Sequence, residues 1–262
     1  MQRGVQPVLF AVERCDARLE RRDGLVALGE LPVARGVELL QAPVHVADDA
    51  LTLDDHRMRD VASSAPYDVL EILVNERQYG GGGIFNDQAT ACVDSAFAEY
   101  VFVHEFGHHL AALADEYYTS PVAYATSGAT EHPEPWEPNV TANGAHPKWT
   151  VDPGLPLPTP WKKEEFEKHS HEVQAERARL RAANAPESEM DKLFTVEREW
   201  ETKFLSSQQN AGKVGAFEGA GYEPRGLYRP EIDCIMFTRD EVGFCRVCRR
   251  AIERIIDEYS RP

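Results

Sequence analysis

The sequence lacks any long apolar segment and any excess of positive charge. No run of about 18 apolar residues occurs, so we expect no membrane-spanning helix. Acidic residues outnumber basic ones by 44 to 28, and the formal net charge of −16 argues against a nucleic acid partner. Residues 1–12 have neither the long apolar core nor the cleavage site of a secretion signal. A cytoplasmic protein is the default expectation, and a chain that starts after a removed leader is the alternative.

Cysteine is also scarce, with five residues in the chain, of which Cys234, Cys245 and Cys248 are close in sequence. Three thiols are one short of the four ligands of a structural zinc site. The C-x-x-C pair has no βαβ context, which argues against a thioredoxin-like role. A disulfide from Cys234 to Cys245 or Cys248, and a set of buried thiols in a reducing compartment, both stay open. Cys15 and Cys92 are predicted to be core residues.

A chain of 262 residues has ample material for one large domain. Nine of its 17 prolines lie between residues 119 and 160, which disfavours regular structure there. We therefore divide a single domain into a β-rich N-terminal part, a core strand with a central helix, a proline-rich loop, a helical-hairpin insertion and a C-terminal subdomain, at residues 1–65, 66–118, 119–160, 161–207 and 208–262.

The central helix carries the pattern H-E-x-x-H as His104, Glu105 and His108. Residues four apart lie on one helix face, so the two imidazoles can hold one zinc ion. Glu105 can then take a proton from a zinc-activated water as general base. A solvated helix face without metal is the alternative, but the apolar approach at residues 96–103 predicts a buried helix, where unpaired ionisable groups are costly. The spacing therefore predicts metal-assisted hydrolysis.

A third protein ligand is expected, since catalytic zinc sites usually have three and leave one position for water. The long metzincin motif has a glycine three residues after the second histidine and its third ligand three residues later. Those positions are Ala111 and Ala114 here, and alanine cannot bind a metal. Asp115 is one residue further, within reach of a slightly longer turn. We expect Asp115 as the third ligand, with Glu116 as second choice.

The stretch H-E-F-G-H-H-L-A-A-L-A-D-E-Y, from His104 to Tyr117, resembles the bacterial immunoglobulin A peptidase family of zinc endopeptidases. Three further segments match in order: D-V-L-E-I-L-V-N-E-R-Q-Y-G-G-G-G, F-E-G-A-G-Y and C-I-M-F-T-R-D-E-V-G-F-C-R-V-C, at Asp68 to Gly83, Phe217 to Tyr222 and Cys234 to Cys248. The resemblance spans about 180 residues. Residues 1–60 and 161–207 match no family segment.

This resemblance implies an α+β, zincin- or metzincin-like catalytic domain with a twisted sheet, an active-site helix, a Met-turn and a C-terminal helix. It implies a zinc-dependent endopeptidase that uses one catalytic Zn²⁺ and acts on protein or peptide substrates. It also implies secretion or a periplasmic location, against the cytoplasmic default. Immunoglobulin cleavage belongs to one branch of the family and is not expected here on this ground.

The Met-turn would be Cys234-Ile235-Met236, with the methionine as a hydrophobic floor for the site. Thr238 stands two residues further on, where astacins have tyrosine. Tyr222, after two glycines, is therefore our candidate to offer a phenol to a developing oxyanion. A buried tyrosine that merely satisfies its hydroxyl group fits the sequence equally well. Tyr228 is a weaker candidate of the same kind.

Hydrophobic patterns predict the remaining elements. Residues 5–46 alternate in places and are interpreted as short antiparallel strands, followed by a helix at Asp54–Ala62. Val69–Val74 is nearly continuously apolar, as in the interior of a sheet. The glycines at Gly80–Gly83 form either a flexible turn or a place where substrate backbone approaches closely. Cys245–Tyr259 is amphipathic and predicts a closing helix.

The insertion predicts two helices that form an αα-hairpin. The first covers residues 162–183, with Phe166, Val173 and Leu180 at a seven-residue spacing. The second begins at Ser188, and its predicted apolar face consists of Leu193, Val196, Trp200 and Phe204.

The hairpin serves either as a surface insertion or as an arm that binds a partner or covers the site. The second reading supports an alternative function, a zinc-stabilised protein-binding module without turnover. Glu105 argues against that alternative, because a structural zinc site has no use for a base beside the metal.

Overall fold

A computed structural model describes residues 7–13, 38–40, 45–47, 50–52, 55–64, 66–120 and 130–261. These residues form a mixed α+β structure, as the sequence predicts, in two compact units that comprise residues 1–109 and 110–261. Cys15 and most of the segment predicted as N-terminal strands lie outside the described residues. Among the described helices, none is both long and apolar enough to cross a membrane.

The elements of the first unit are mainly strands. They are β1 (Pro7–Glu13), β2 (Glu38–Leu40), β3 (His45–Ala47), β4 (Ala50–Thr52), α1 (Asp55–Ala62), β5 (Val69–Asn75), β6 (Gly81–Ile84), β7 (Gln88–Cys92) and α2 (Ala98–Ala111), whose last two residues belong to the second unit. Five strands form one sheet in the order β2-β1-β5-β7-β6. The helix at α1 and the strand at β5 confirm two sequence predictions.

Strand direction differs from the prediction. β1 pairs in parallel with both β2 and β5, so the antiparallel interpretation is wrong for this strand, whereas β3 and β4 do form an antiparallel pair. Residue alternation indicates that a strand forms, but its direction depends on how the connection crosses the sheet. β5 lies between β1 and β7, and Leu70, Ile72 and Val74 are buried in a core with Met58. This interior position matches its nearly continuous apolar run.

The glycine run forms strand β6, antiparallel to β7, rather than a flexible turn. A Cβ atom at Gly81 would lie 2.4 Å from Val101 Cγ1 and 2.9 Å from Glu105 Cγ. At Gly83 a Cβ atom would lie 2.4 Å from the Glu105 carbonyl oxygen. The close backbone approach is therefore made by α2 of the same chain. Glycine is needed here so that the strand can pack directly on the helix that carries H-E-x-x-H.

The second unit contains α3 (Lys163–Ala182), α4 (Glu187–Ser206), β8 (Phe217–Ala220), β9 (Glu223–Arg229) and α5 (Arg246–Ser260). Helices α3 and α4 pack on each other, which confirms the αα-hairpin. On α3 the buried apolar residues are Phe166, Val173 and Leu180, at the predicted seven-residue spacing. On α4 the predicted face is partly wrong, since Val196 is exposed and Phe194 is buried instead.

Residues 130–160 contain no helix or strand beyond a one-residue bridge between Thr141 and Tyr228. The segment is nevertheless held by side chains: Trp149 Nε1 donates to the Gly215 carbonyl oxygen at 2.7 Å, and Asn139 is fully buried. Strands β8 and β9 form a tight hairpin, in which Gly221 and Tyr222 have φ angles of 57° and 66°. Two consecutive positive φ angles are typical of the type I′ turns that join antiparallel strands.

Candidate active site

Helix α2 brings the two histidines of H-E-x-x-H together. Their Nε2 atoms lie 3.1 Å apart, and His104, Glu105 and His108 form a group that could hold a metal ion. A tetrahedral zinc ion with zinc–nitrogen distances of 2.0–2.1 Å keeps two ligand nitrogens about 3.3 Å apart. The observed spacing therefore fits one ion shared by both rings. His104 is buried, whereas Glu105 and His108 are half-buried, so the group is not completely enclosed within its unit.

Tyr100, one turn before His104, was missed by the sequence analysis. Its hydroxyl lies 3.3 Å from His104 Nδ1. When Nδ1 carries the ring proton and donates to this oxygen, Nε2 keeps its lone pair for a metal. The i−4 spacing from His104 was a signal that could have identified this partner.

His109, next to the second predicted ligand, has a different role. Its Nε2 accepts a hydrogen bond from Leu70 N at 3.2 Å, and its Nδ1 donates to the Ile84 carbonyl oxygen at 3.0 Å. Burial lowers the pKa of this imidazole, which favours the neutral ring. His109 therefore fastens α2 to β5 and to the end of β6, and both of its nitrogens are used.

Glu71 is a second residue that the sequence analysis missed. It lies in the middle of β5, is 1% exposed, and neither carboxylate oxygen has a hydrogen-bond partner in the described part of the chain. Burial, together with the nearby Glu105 carboxylate, raises the pKa of Glu71 to about 8. Glu71 is thus protonated at neutral pH. An acidic residue inside the apolar run of β5 was the sequence signal for it.

The second unit brings two other predicted residues together. α2 ends at Ala111, and Ala112 adopts a left-handed φ of 53°, which turns the chain out of the helix. Three residues later, Asp115 Oδ2 accepts a hydrogen bond from the Tyr222 hydroxyl. That hydroxyl also lies 3.1 Å from the hydroxyl of Tyr117. Asp115 and Tyr222, predicted separately from the sequence, are thus direct hydrogen-bond partners.

Glu116 faces a different environment from Asp115. It is fully buried, and its carboxylate lies with the thiols of Cys234, Cys245 and Cys248 in a second group that could hold a metal ion. Burial raises the pKa of Glu116 well above its ordinary value. All three cysteines are free thiols, and the Sγ atoms of Cys234 and Cys248 are 3.8 Å apart, so the disulfide alternative does not hold in this structure.

Met236 lies fully buried in a turn of the second unit. The turn is closed by Phe237 N and Thr238 N, which both donate to the Cys234 carbonyl oxygen. The Met236 carbonyl oxygen accepts from Glu116 N at 2.7 Å, so this turn is tied to the segment that follows α2.

Tyr228, the weaker tyrosine candidate, packs its ring against Gly144, where a Cβ atom would lie 2.7 Å from the ring. Its backbone pairs with Thr141. Burial raises the pKa of its hydroxyl. These contacts hold the ring and the backbone of Tyr228 in place, and a catalytic role for its hydroxyl stays a prediction.

Comparison with known proteins supports the resemblance seen in the motifs. No curated protein matches the chain. The model of the family described as IgA Peptidase M64 matches residues 49–256, which is well over half of the chain and includes the H-E-x-x-H helix, Asp115, Tyr222 and the cysteine segment. The family prediction is thereby confirmed: the chain belongs to the IgA Peptidase M64 family, a family of peptidases.

Proposed function

We propose that the protein is a zinc-dependent endopeptidase in which His104 and His108 hold the ion and Glu105 is the general base. The observation that carries this proposal is the 3.1 Å separation of the two Nε2 atoms on one helix face, beside a glutamate, in a chain of a peptidase family. A non-catalytic zinc module would not need Glu105. The half-buried state of Glu105 and His108 also suits a site that admits substrate.

The chemistry divides between the metal and the chain. When bound, zinc would polarise the peptide carbonyl and lower the pKa of the attacking water. Glu105 takes the proton of that water and returns it to the leaving amine. With the ring proton on Nδ1, Tyr100 holds His104 in the tautomer that binds a metal through Nε2, and Gly81 leaves room for the side chain of Glu105. The substrate is a protein or peptide.

Asp115 is our proposed third ligand, on grounds of sequence spacing. The second unit supports this choice because Glu116, the other candidate, has its carboxylate buried among three thiols. Tyr222 is proposed as the phenol that stabilises the oxyanion. Its hydrogen bond to Asp115 would also place that hydroxyl beside a metal ligand. The Met-turn role of Met236 and the metzincin-like architecture are proposed from the sequence resemblance.

The test is cleavage of an unfolded protein substrate, with metal content measured on the same samples. We expect chelation to abolish cleavage and added zinc to restore it. The double variant His104→Ala/His108→Ala should lose one equivalent of zinc relative to the parent, together with all activity. His146→Ala, at an exposed histidine, is the matched control and should change neither quantity. Chelator-resistant cleavage, or an unchanged zinc content in the double variant, would refute the proposal.

A further inference from the structure

A second cluster of metal-ligand side chains lies inside the second unit. Three chain segments contribute to it: Glu116 from the stretch after α2, Cys234 from the turn before Met236, and Cys245 and Cys248 from the start of α5. One ligand atom from each of the four residues lies within 4.8 Å of all the others. Cys245 is 5% exposed and the other three are fully buried. The four residues are almost completely shielded from solvent.

The distances match those of a tetrahedral zinc site. Zinc–sulfur distances of about 2.3 Å place two sulfur ligands about 3.8 Å apart, and a sulfur and a carboxylate oxygen about 3.6 Å apart. The Sγ atoms of Cys234 and Cys248 are 3.8 Å apart, and Cys248 Sγ lies 3.3 Å from Glu116 Oε1. A disulfide needs about 2.05 Å between sulfurs. The arrangement therefore suits a shared ion and not an S–S bond.

One carboxylate oxygen in the cluster has no hydrogen-bond partner. Glu116 Oε1 accepts from Asn139 Nδ2 at 2.9 Å, but the Oε2 atom is buried and unpaired among the described residues. An unsatisfied buried carboxylate oxygen is more costly than an unpaired neutral polar atom. A cation bound by Glu116 would remove this cost.

Backbone N–H groups point at two of the sulfurs. Cys234 Sγ accepts from Cys245 N at 3.2 Å and from Met236 N at 3.5 Å, and Cys245 Sγ accepts from Cys248 N at 3.4 Å. Such donors stabilise thiolates, the form of cysteine that binds metal. Cys245 is also the N-cap of α5, where the helix dipole favours negative charge.

Arg229 supplies positive charge nearby. It is fully buried and interacts electrostatically with both Glu116 and Cys234. Three thiolates, one carboxylate and a divalent ion leave a net charge of −2, which the guanidinium partly offsets. The guanidinium of Arg229 therefore lowers the cost of burying the charged, metal-bound form of the cluster.

We propose that Cys234, Cys245, Cys248 and Glu116 bind one structural Zn²⁺, independently of the peptidase site. Zinc suits this set because it takes three thiolates and one carboxylate in tetrahedral coordination and undergoes no redox change. Binding releases the thiol protons. The ion joins the segment after α2, the turn that holds Met236 and the start of α5. With all four positions filled by protein, it has no open place for a substrate.

The first test measures zinc in variants that lack the histidine site. The His104→Ala/His108→Ala chain should retain about one zinc ion. Adding Cys234→Ser/Cys248→Ser should remove it, whereas adding Cys92→Ser, a buried thiol outside the cluster, should not. A histidine variant with no zinc overturns the proposal, as does one in which the added cysteine substitutions leave the zinc bound. These results are separate from activity, so failure here leaves the peptidase proposal standing.

The second test needs no cysteine variant and covers the case in which that chain does not fold. The His104→Ala/His108→Ala protein is titrated with a mercurial that binds thiols, while a zinc indicator reports the released ion. We expect one equivalent of zinc to appear, and cobalt in its place to give sulfur-to-cobalt charge-transfer absorption. No zinc release, a cobalt spectrum of oxygen and nitrogen ligands alone, or a Cys234–Cys248 disulfide found by mass spectrometry would overturn the proposal.

Discussion

The two clusters of metal-ligand residues differ in how the chain assembles them. His104 and His108 lie one turn apart on a single helix, whereas Glu116 and the three cysteines come from three separate segments. Two members of the histidine cluster are half-buried, but all four members of the cysteine cluster are buried. Catalytic zinc sites keep an open position and structural ones are closed. The difference in exposure is the reason that we propose a catalytic ion for the first cluster and a structural ion for the second.

The largest expected effect is the loss of a different zinc ion from each of two variants, at the neighbouring residues Asp115 and Glu116. Asp115→Ala should lose the catalytic zinc, reduce activity to that of the metal-free protein and leave thermal stability close to the parent. Glu116→Ala should instead release the structural zinc and lower the free energy of unfolding by more than about 2 kcal/mol. Zinc content, activity and thermal unfolding are measured on both variants. If Glu116→Ala removes the catalytic ion and Asp115→Ala does not, the two assignments are reversed.

A smaller effect is expected for Tyr222→Phe, which removes the hydroxyl bonded to Asp115. If the phenol stabilises the oxyanion, kcat should fall by about 10²-fold with KM and zinc content nearly unchanged. Steady-state kinetics and metal analysis provide the measurement, and Tyr228→Phe is the control, with little expected change in kcat. Loss of zinc in Tyr222→Phe would show a positioning role through Asp115 instead of a catalytic one.

These residues show how far sequence reasoning reached for the site. The i, i+4 spacing of His104 and His108 follows from helix geometry, so a local pattern was sufficient to find them. Glu116 was the second choice of third ligand for the catalytic metal, and the sequence analysis did not connect it with the cysteines. The cysteine segment contains three of the proposed ligands, but the fourth, Glu116, is distant in sequence. Counting the ligand residues within one segment could therefore not find all four.

The same distinction applies to the fold. Strand β5 and the helical hairpin follow from apolar periodicity, which depends on neighbouring residues. The parallel pairing of β1 depends on a connection between distant segments, and the antiparallel interpretation was wrong there. For the glycines of β6, the sequence indicated a close approach of backbone. The sequence could not show that helix α2 of the same chain makes this approach, because the contact depends on how α2 packs on the sheet.

A pH-dependent effect on stability is expected at Glu71, the buried carboxyl group beside Glu105. Its pKa is raised from 4.5 to about 8, so the folded state binds a proton that the unfolded state releases. Between those pH values its contribution makes the protein less stable as pH rises, by up to about 1.4 kcal/mol per pH unit, and the loss levels off above pH 8. Glu71→Gln has no such proton to lose.

The measurement for Glu71 is urea unfolding of the parent and Glu71→Gln at pH 5, 6.5 and 8. The stability of the variant relative to the parent should increase over this series. Glu131→Gln, at an exposed glutamate, is the control and should leave the free energy of unfolding close to that of the parent. A constant difference for Glu71→Gln would contradict the buried, protonated state of this residue.

The most direct test of the central claim is the activity and zinc content of Glu105→Gln, measured on the same preparation. Glutamine keeps the shape of the side chain but cannot accept the proton of the attacking water. We expect the zinc content and thermal stability of the parent, with peptide cleavage reduced by about 10²-fold or more. Cleavage at the parent rate by a zinc-loaded Glu105→Gln protein would contradict the claim that Glu105 is the base of a peptidase site on α2.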